Sequence, residues 1–363
     1  MAKLGECFSV IRNGASIRQT DGAGGFPITR IETIADKTIN REKFGYAGIY
    51  DLAQYRDYIL QDGDILMSHI NSEKHLGKVA LYSKQDDEQI IHGMNLLMLR
   101  ADTQKVIPEY AKYYFESQKF LRQIGRITKK SVNQASFTVT ALKELEIPLA
   151  SIIVQRDISK KLKKVDWLVS LRKQQITKLD ELVKARFAEM FGNKDYPRMK
   201  WNNVFNTTTG KLDSNAAVDN GKYPFFTCSK EPLKIDSYAF DQTALLLAGN
   251  NAAGKYDVKY YQGKFNAYQR TYVLSLKHNW SYKLFQYQLE DKLLYLQTKS
   301  LGGLTKYLTL KILGELDFIV PPLALQNEFA TFVARIDQQK QTVQQSLDKL
   351  ELMKKALMQE YFG

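Results

Sequence analysis

The sequence predicts an α+β protein in which two α/β domains are held apart by two long helices that pack as an antiparallel coiled coil. Three observations lead to this fold class: a gapless internal repeat, a seven-residue apolar period in both copies of it, and strand-like segments joined by loops ahead of each copy. The repeat also predicts that the two halves are related by a pseudo-two-fold axis.

The repeat is a long segment that closes each half of the chain. Residues 144–192 align without a gap onto residues 315–363 at a constant offset of 171. The identical pairs include Leu145/Leu316, Gln155/Gln326, Asp166/Asp337, Lys178/Lys349, Leu179/Leu350, Lys184/Lys355, Ala185/Ala356, Glu189/Glu360 and Phe191/Phe362. The segments ahead of these copies repeat more faintly, so the predicted organisation is domain, helix, domain, helix.

Both copies carry the apolar rhythm of a coiled coil. The predicted seam residues are Leu162, Val169, Ile176, Val183 and Met190 in the first copy and Phe329, Ile336, Val343, Leu350 and Leu357 in the second. A second row in the first copy, Ile158, Val165 and Leu179, is interrupted by Arg172 and Arg186. Each helix could pack on its own domain, but a length on the order of 50 to 60 Å favours an antiparallel pair.

The charge is distributed unevenly over the four predicted segments: domain 1 (1–142), central spacer helix (143–192), domain 2 (193–313) and C-terminal spacer helix (314–363). The net charge is +13, and residues 193–313 alone contain 17 basic and 9 acidic residues. An excess of cations on a domain favours a polyanionic partner, most simply nucleic acid.

Several classes of protein are disfavoured by composition. The chain has no apolar run long enough to span a membrane and no signal-peptide pattern at its start, so we expect a cytoplasmic protein. Two cysteines, Cys7 and Cys228, make no disulfide framework, and four histidines without ligand spacing predict no metal site. We also find no catalytic constellation.

One motif points to an alternative function. The stretch "LLLAGNNAAGKYD" contains Gly249, Gly254 and Lys255 at the spacing of a phosphate-binding loop. Tyr256 stands where such a loop has Ser or Thr, and the residues that follow favour strands over a helix. A P-loop enzyme is therefore the disfavoured alternative, and a coiled-coil scaffold without DNA contact is a second one.

The arrangement of two variable domains, each followed by an "LxxIxxPxxxLQ"-like entry into a long helix that ends in "FG", resembles the specificity (S) subunit of type I restriction-modification systems. The resemblance covers essentially the whole chain and is strongest in "LKELEIPLASIIVQRDI", "LGELDFIVPPLALQNEF" and "KLDELVKARFAEMFG". The first opening departs from the usual double proline, because Pro148 is followed by Ala150 and Ser151.

The resemblance implies a non-catalytic subunit with two target-recognition domains, each reading one half of a bipartite site in double-stranded DNA. It implies docking of two modification (methyltransferase) subunits on the helices, and restriction (translocase/endonuclease) subunits in the same complex. S-adenosylmethionine, ATP and Mg are expected on those partners and not on this chain.

Candidate DNA-binding residues follow from side-chain chemistry, because Arg, Lys, Asn and Gln read base edges while Lys, Arg, Ser, Thr and Tyr hold phosphates. In the first domain they are Arg12, Asn13, Arg18, Ser68, His69, Asn71, Lys74, Lys78, His92 and Asn95, with Lys129, Lys130 and Asn133 near the junction with the helix. In the second domain they are Thr227, Ser229, Lys230, Asn250, Asn251, Lys255, Tyr256, Asn266, Tyr268, Gln269 and Arg270, with Lys306 and Tyr307 near the junction. Each residue taken alone is more typical of an ordinary solvated loop, and it is the sets repeated at corresponding places in the two domains that predict contact surfaces.

Overall fold

The computed structural model describes residues 1–20, 22–131, 134–192, 194–252 and 254–363. The helices are Leu4–Cys7 (α1), Pro108–Glu116 (α2), Gln118–Ile127 (α3), Val139–Lys143 (α4), Ile152–Phe187 (α5), Trp201–Val204 (α6), Tyr282–Asp291 (α7), Leu293–Lys299 (α8), Leu310–Gly314 (α9) and Leu323–Phe362 (α10). Helix α5 continues into a π-helical turn, Ala188–Gly192. Short 3₁₀ turns lie at Ile31–Ile34, Arg41–Lys43, Ala53–Tyr58, Glu73–His75 and Ser214–Ala216.

Most of the strands have two to six residues, and the two longest have 9 and 10 residues. They are Ala2–Lys3 (β1), Phe8–Asn13 (β2), Ile65–Ser68 (β3), Ile70–Asn71 (β4), Val79–Leu81 (β5), Leu96–Ala101 (β6), Lys129–Lys130 (β7), Ala135–Ser136 (β8), Glu146–Ile147 (β9), Arg198–Lys200 (β10), Phe205–Thr209 (β11), Tyr223–Phe226 (β12), Leu233–Ile235 (β13), Phe240–Ala248 (β14), Asn250–Asn251 (β15), Val258–Ala267 (β16), Thr271–Leu276 (β17), Lys306–Tyr307 (β18) and Asp317–Ile319 (β19).

The chain forms two compact units, and each long helix contributes to both. Unit 1 contains Met1–Lys173 and Gln345–Gly363, and unit 2 contains Gln174–Gln344. The main sheet of unit 1 has the antiparallel order β2-β6-β3-β5, accompanied by a small sheet of order β4-β8-β7 and the pair β1-β9.

Unit 2 repeats this topology and extends it. Its main sheet begins with β11-β17-β14-β16, the same order as in unit 1, and β12 and β13 are added at the edge. The pairs β15-β18 and β10-β19 match β4-β8 and β1-β9. The short helices that precede α5 and α10 start alike, because Thr138 accepts a hydrogen bond from Ala141 N and Thr309 accepts one from Ile312 N. The predicted internal repeat is thus confirmed at the level of the fold.

Each core forms where apolar strands meet the helices. In unit 1, Ile65 and Leu97 of the sheet pack with Tyr114 of α2 and Leu162 of α5. In unit 2, Leu245 and Leu274 pack with Phe285 of α7. Burial of such side chains stabilises each domain by about 1.5–3 kcal/mol per residue.

The long helices run antiparallel within each unit, as predicted. In unit 1 Asp166 lies 2.6 Å from Lys354, and Lys173 lies 3.1 Å from Glu351. In unit 2 Asp180 lies 2.5 Å from Lys340, and Arg186 Nη2 lies 2.6 Å from Glu328. Residues late in α5 therefore contact residues early in α10. The first helix has 36 residues and the second has 40.

The inner faces of the two helices follow a complete heptad pattern. The buried or half-buried positions of α5 that follow the heptad are Ile158, Leu162, Val165, Val169, Arg172, Ile176, Leu179, Val183 and Arg186, with Met190 buried in the π-helical turn. The positions of α10 that follow the heptad in the same way are Phe329, Val333, Ile336, Lys340, Val343, Leu347, Leu350, Lys354 and Leu357. The second row of α10 was missing from the sequence analysis, because Lys340 and Lys354 interrupt it and leave only Val333 and Leu347 as its buried apolar members.

Candidate nucleic-acid interface

In unit 2 several of the predicted loops meet at one end of the six-stranded sheet. Strand β14 ends at Ala248, directly opposite Thr271 at the start of β17. The next residue, Gly249, donates a backbone hydrogen bond to the carbonyl oxygen of Arg270 at 2.8 Å. The Cys228 Sγ atom lies 2.7 Å from Oδ1 of Asn250. The segments 227–230, 249–252 and 268–270 are therefore neighbours.

The small sheet β15-β18 adds amides and cations to this end. Asn250 pairs with Tyr307, and Asn251 pairs with Lys306. The Asn251 side-chain oxygen accepts a hydrogen bond from the backbone N–H of Lys255 at 3.3 Å. Because these contacts fix the backbone, the amides are held on an ordered platform and not on a free loop.

The solvent-facing members of this group are suited to DNA by type. Ser229, Lys230, Lys255, Gln269, Arg270 and Tyr307 are exposed, and Asn250, Asn251, Tyr268 and Lys306 are half-buried. Sequence reasoning missed Lys259, whose ammonium donates to the carbonyl oxygen of Ser229 at 3.0 Å and pairs with Asp257. We call the solvent-facing group with Lys259 the unit 2 surface.

Three predicted residues of unit 2 are not available to DNA, which corrects their assignment. Thr227 and Asn266 are buried, and the Asn266 side chain accepts a hydrogen bond from Ala267 N at 2.9 Å. Tyr256 is 7% exposed and packs in the core with Leu245 and Leu296. Its burial raises the pKa of the phenol.

The phosphate-loop alternative is inconsistent with the local structure. A P-loop leads from a strand into a helix whose N-terminus faces the phosphates. Here Lys255 is followed by strand β16, and Gly254 has a φ of +65° in a turn closed by a hydrogen bond to Asn251 O. The glycines serve an inter-strand turn, and the ATPase hypothesis has no support.

In unit 1 the corresponding loops also share one end of the sheet. Asn13 at the end of β2 pairs with Leu97, and Ser68 at the end of β3 pairs with Leu96, so both strands end beside the start of β6. Asn71 is paired with Ala135 in the small sheet that also contains β7. The exposed candidates are Asn13, Arg18, Lys74, Lys129 and Lys130, and the half-buried ones are Arg12, Asn71, Lys78 and Asn95.

Several unit 1 cations are engaged within the protein. The Arg12 guanidinium lies 4.1 Å from the centre of the Tyr58 ring and donates to the Asp57 carbonyl oxygen at 3.3 Å. Lys78 donates to the carbonyl oxygen of Ala35 at 3.0 Å, and Lys130 pairs with Glu73 at 2.8 Å. These contacts orient the side chains and reduce the free positive charge of this surface.

Three further assignments are corrected in unit 1. Ser68, His69 and His92 are buried, and the two ring nitrogens of His92 have no hydrogen-bond partner among the described residues. Burial lowers the pKa of His69 and of His92 to about 4, so both imidazoles are neutral near pH 7. Asn133 lies outside the described residues.

Two other features bear on function. Within the described ranges, no three His, Cys, Asp or Glu side chains are placed to hold a metal ion. In the same part of the chain, no helix is both long and apolar enough to cross a membrane.

The comparisons with known proteins agree with one another. A family model described as the type I restriction modification DNA specificity domain matches the chain twice, at residues 1–181 and 193–352. A protein of Methanocaldococcus jannaschii named as the type I restriction enzyme MjaX specificity subunit is 42% identical over 192 residues, which are 52% of this chain and 44% of the relative. The EcoDI specificity subunit of Escherichia coli is 51% identical over 80 residues, 22% of this chain and 17% of that protein.

The matches span less than half of the length of these curated relatives. Among solved structures, the type I restriction-modification S subunit of M. genitalium has a TM-score of 0.64 at 16% identity, covering 99% of this chain and 95% of that one. A structure from a study of type I system assembly has a TM-score of 0.53 at 16% identity, covering 99% and 96%. At these identities the likeness establishes the fold.

Proposed function

Because the chain belongs to the family of type I restriction-modification DNA specificity proteins, we propose that it is the DNA-recognition subunit of such a complex. One half of a split DNA site is read by unit 1 and the other half by unit 2. The observation that carries this proposal is the pair of matching sheet ends, which present different side chains on the same scaffold. Two domains that share one scaffold but differ in their loop residues are suited to reading two different DNA sequences.

The chemistry of the unit 2 surface supports contact with both bases and backbone. Its amides, Asn250, Asn251 and Gln269, have the donor and acceptor pattern that reads adenine, and Arg270 has the fork that reads guanine. Lys230, Lys255 and Ser229 are suited to phosphate oxygens. The solvent-facing candidates therefore include residues suited to bases and residues suited to phosphates.

The partner assignments rest on family membership and on the helices. We propose that two modification subunits dock on α5 and α10, and that restriction subunits join the same cytoplasmic complex. The chain itself is proposed to be non-catalytic. S-adenosylmethionine, ATP and Mg then belong to the partners.

A direct test measures binding of the full chain to duplex DNA as a function of salt. Replacing Lys230, Lys255 and Arg270 with alanine should weaken binding and flatten the salt dependence, because fewer counterions are released. The matched control replaces Lys160, Lys184 and Lys349, which are exposed on the long helices, and changes the charge equally. Equal loss in both triple variants would indicate general electrostatics, and binding that does not change with salt would contradict the proposal.

The division of the site is tested in cells that express the chain with modification subunits. Sequencing of methylated DNA should give a motif with two specified halves. Exchange of residues 193–313 for the matching segment of another specificity subunit should change one half and spare the other. Loss of both halves, or change in neither, would show that the two units do not read separately.

A further inference from the structure

Leu304 lies at the tip of a hairpin that also contains Lys306 and Tyr307 of the unit 2 surface. Leu304 is 96% exposed, which makes it the most exposed large apolar side chain among the described residues. Single exposed apolar residues are common on proteins and need no explanation. This one is distinguished by its position, because it lies in a hairpin whose base pairs with the segment that carries Asn250 and Asn251.

The hairpin is closed by hydrogen bonds on both sides. Leu301 N donates to Tyr307 O at 3.0 Å, and Tyr307 N donates to Leu301 O at 2.9 Å. Gly302 has a φ of +99°, and a Cβ atom there would lie 2.2 Å from the carbonyl oxygen of Thr305. The turn therefore requires glycine at position 302, and the residues that follow, 303 to 305, are exposed.

The base of the hairpin belongs to the small sheet that carries the candidate reading amides. Tyr307 pairs with Asn250 and Lys306 with Asn251, and Leu308 N donates to Gly249 O at 2.8 Å. Lys299, just before the hairpin, is exposed, and Lys306 is half-buried within it. In sequence the exposed tip therefore lies between Lys299 and Lys306, and the base of the hairpin pairs with the segment that carries the two amides.

This combination fits DNA better than it fits a protein partner. Cations flanking the tip attract phosphates, and proteins that distort DNA insert Leu, Ile, Met, Phe or Pro between base pairs. We propose that Leu304 is a wedge that enters a base step of the half-site read by unit 2. The inference rests on the proposed DNA recognition and adds to it a distortion of the duplex.

The wedge is predicted for one half of the site only. At the repeat offset of 171 residues, the position of Leu304 corresponds to Asn133, which is a polar amide. The sequences at Gly302 and Gly303 correspond to Ser131 and Val132, so the glycine pair is also specific to the second half.

The experiment compares the wild-type full chain with Leu304→Ala and Leu304→Met on a random-sequence duplex library. The control is Leu294→Ala, because Leu294 is 77% exposed in α8 of the same unit. We expect Leu304→Ala to lower affinity for the enriched motif by about tenfold, and Leu304→Met and Leu294→Ala to keep it. Because Leu304 makes little contact within the protein, thermal stability should not change.

A second readout reports the distortion itself. A 2-aminopurine placed at successive steps of the enriched motif should brighten at one step with wild-type chain and with Leu304→Met, but not with Leu304→Ala. Unchanged affinity and fluorescence in Leu304→Ala, with a motif still enriched by wild-type chain, would overturn the wedge alone. If the wild-type chain enriched no motif, DNA recognition by this chain and the wedge would both be rejected.

Discussion

Gln155 and Gln326 are buried at equivalent places in the two units and make matching hydrogen bonds. The Gln155 side chain accepts from Ile107 N at 2.9 Å and donates to Ala150 O at 2.9 Å. The Gln326 side chain accepts from Ser281 N at 3.0 Å and donates to Pro321 O at 2.8 Å. Ile107 and Ser281 directly precede α2 and α7, so each amide links the start of a long helix to the start of a domain helix.

Replacement of either glutamine with leucine should destabilise its own unit. Gln155→Leu would leave the part-buried N–H of Ile107 without its acceptor, at a cost of up to about 1–3 kcal/mol for an unsatisfied buried group. The Lys105 carbonyl oxygen, which also accepts from Gln155 at 2.9 Å, would lose its donor. Chemical denaturation of the full chain measures the decrease in the free energy of unfolding. The control Gln174→Leu changes an exposed glutamine of the same helix and should be nearly neutral.

A cluster of charged side chains in unit 1 predicts that Lys354 and Lys355, which are neighbours in α10, contribute differently to stability. Lys354 lies 2.6 Å from Asp166 and 3.9 Å from Glu116, whose side chain is 9% exposed. Tyr113 donates its hydroxyl to Asp166 at 2.9 Å. Lys354→Met should cost about 1.5–3 kcal/mol, because the carboxylates lose a charged donor. Lys355→Met, on an exposed residue, should cost much less, and equal effects would contradict the assigned role.

The heptad pattern shows how much of the helix pair could be predicted. The row from Phe329 to Leu357 is apolar throughout, so its period was visible in the sequence. The period of the row through Lys340 and Lys354 was not visible in the sequence. A lysine at a seam position cannot be told from a surface lysine until its acidic partner on the other helix is known. Pairing across sequence distances such as Asp166 to Lys354 is a property of the fold and not of local pattern.

The candidate interface shows a different limit. The candidate residues were assigned by residue type and repeat position, and it is the structure that brings their segments together at the strand ends, through the contacts of Gly249 with Arg270 and of Asn250 with Cys228. Burial was not predictable in the same way. His92 and Asn266 were assigned by residue type, but each side chain is buried beside apolar residues that are themselves buried, Ile91 and Phe265.

A charge in the middle of the seam should disrupt the helix pair. Val343 is 7% exposed on the inner face of α10, and burial of an unpaired carboxylate there costs several kcal/mol. Val343→Asp should lower the midpoint of thermal unfolding and weaken methylation of the split site in cells with modification subunits. Leu352→Asp is the control, because Leu352 is 67% exposed on the same helix. Normal methylation by Val343→Asp would show that the seam is dispensable.

The ion pair between Glu88 and Arg41 predicts a pH dependence of stability in unit 1. Arg41 Nε lies 2.9 Å from Glu88 Oε2, and its Nη2 lies 2.5 Å from Oε1. These bonds, followed by those from Gln85 N and the Tyr82 hydroxyl, lower the pKa of Glu88 from 4.5 to about 2. A carboxyl with a lowered folded-state pKa stabilises the protein above its unfolded pKa and loses this contribution as the pH falls towards the folded value.

We therefore expect Glu88→Gln to destabilise the chain by about 1.5–3 kcal/mol at pH 7. The difference between wild type and variant should shrink below pH 4.5 and be lost as the pH falls through about 2. Urea denaturation at a series of pH values measures it. Glu32→Gln, on an exposed residue, serves as the control and should show a small difference throughout. A Glu88→Gln effect that is the same at pH 3 and pH 7 would contradict the linkage.

The long helices lead to a prediction about the gap in the DNA site, if they set its length. The pair Asp180 and Lys340 marks a level at which α5 and α10 face each other. Inserting one heptad after Leu179 and another after Lys340 would keep both seams in register, because the inserted segments meet each other. Each insertion adds about 10 Å at about 1.5 Å per residue. This corresponds to about three base pairs at about 3.4 Å per pair.

We expect the double insertion to give a methylated motif with both halves unchanged and a gap longer by about three base pairs. Insertion in α5 alone should abolish methylation through loss of register. Methylation at the original spacing by the double insertion would show that these helices do not measure the site.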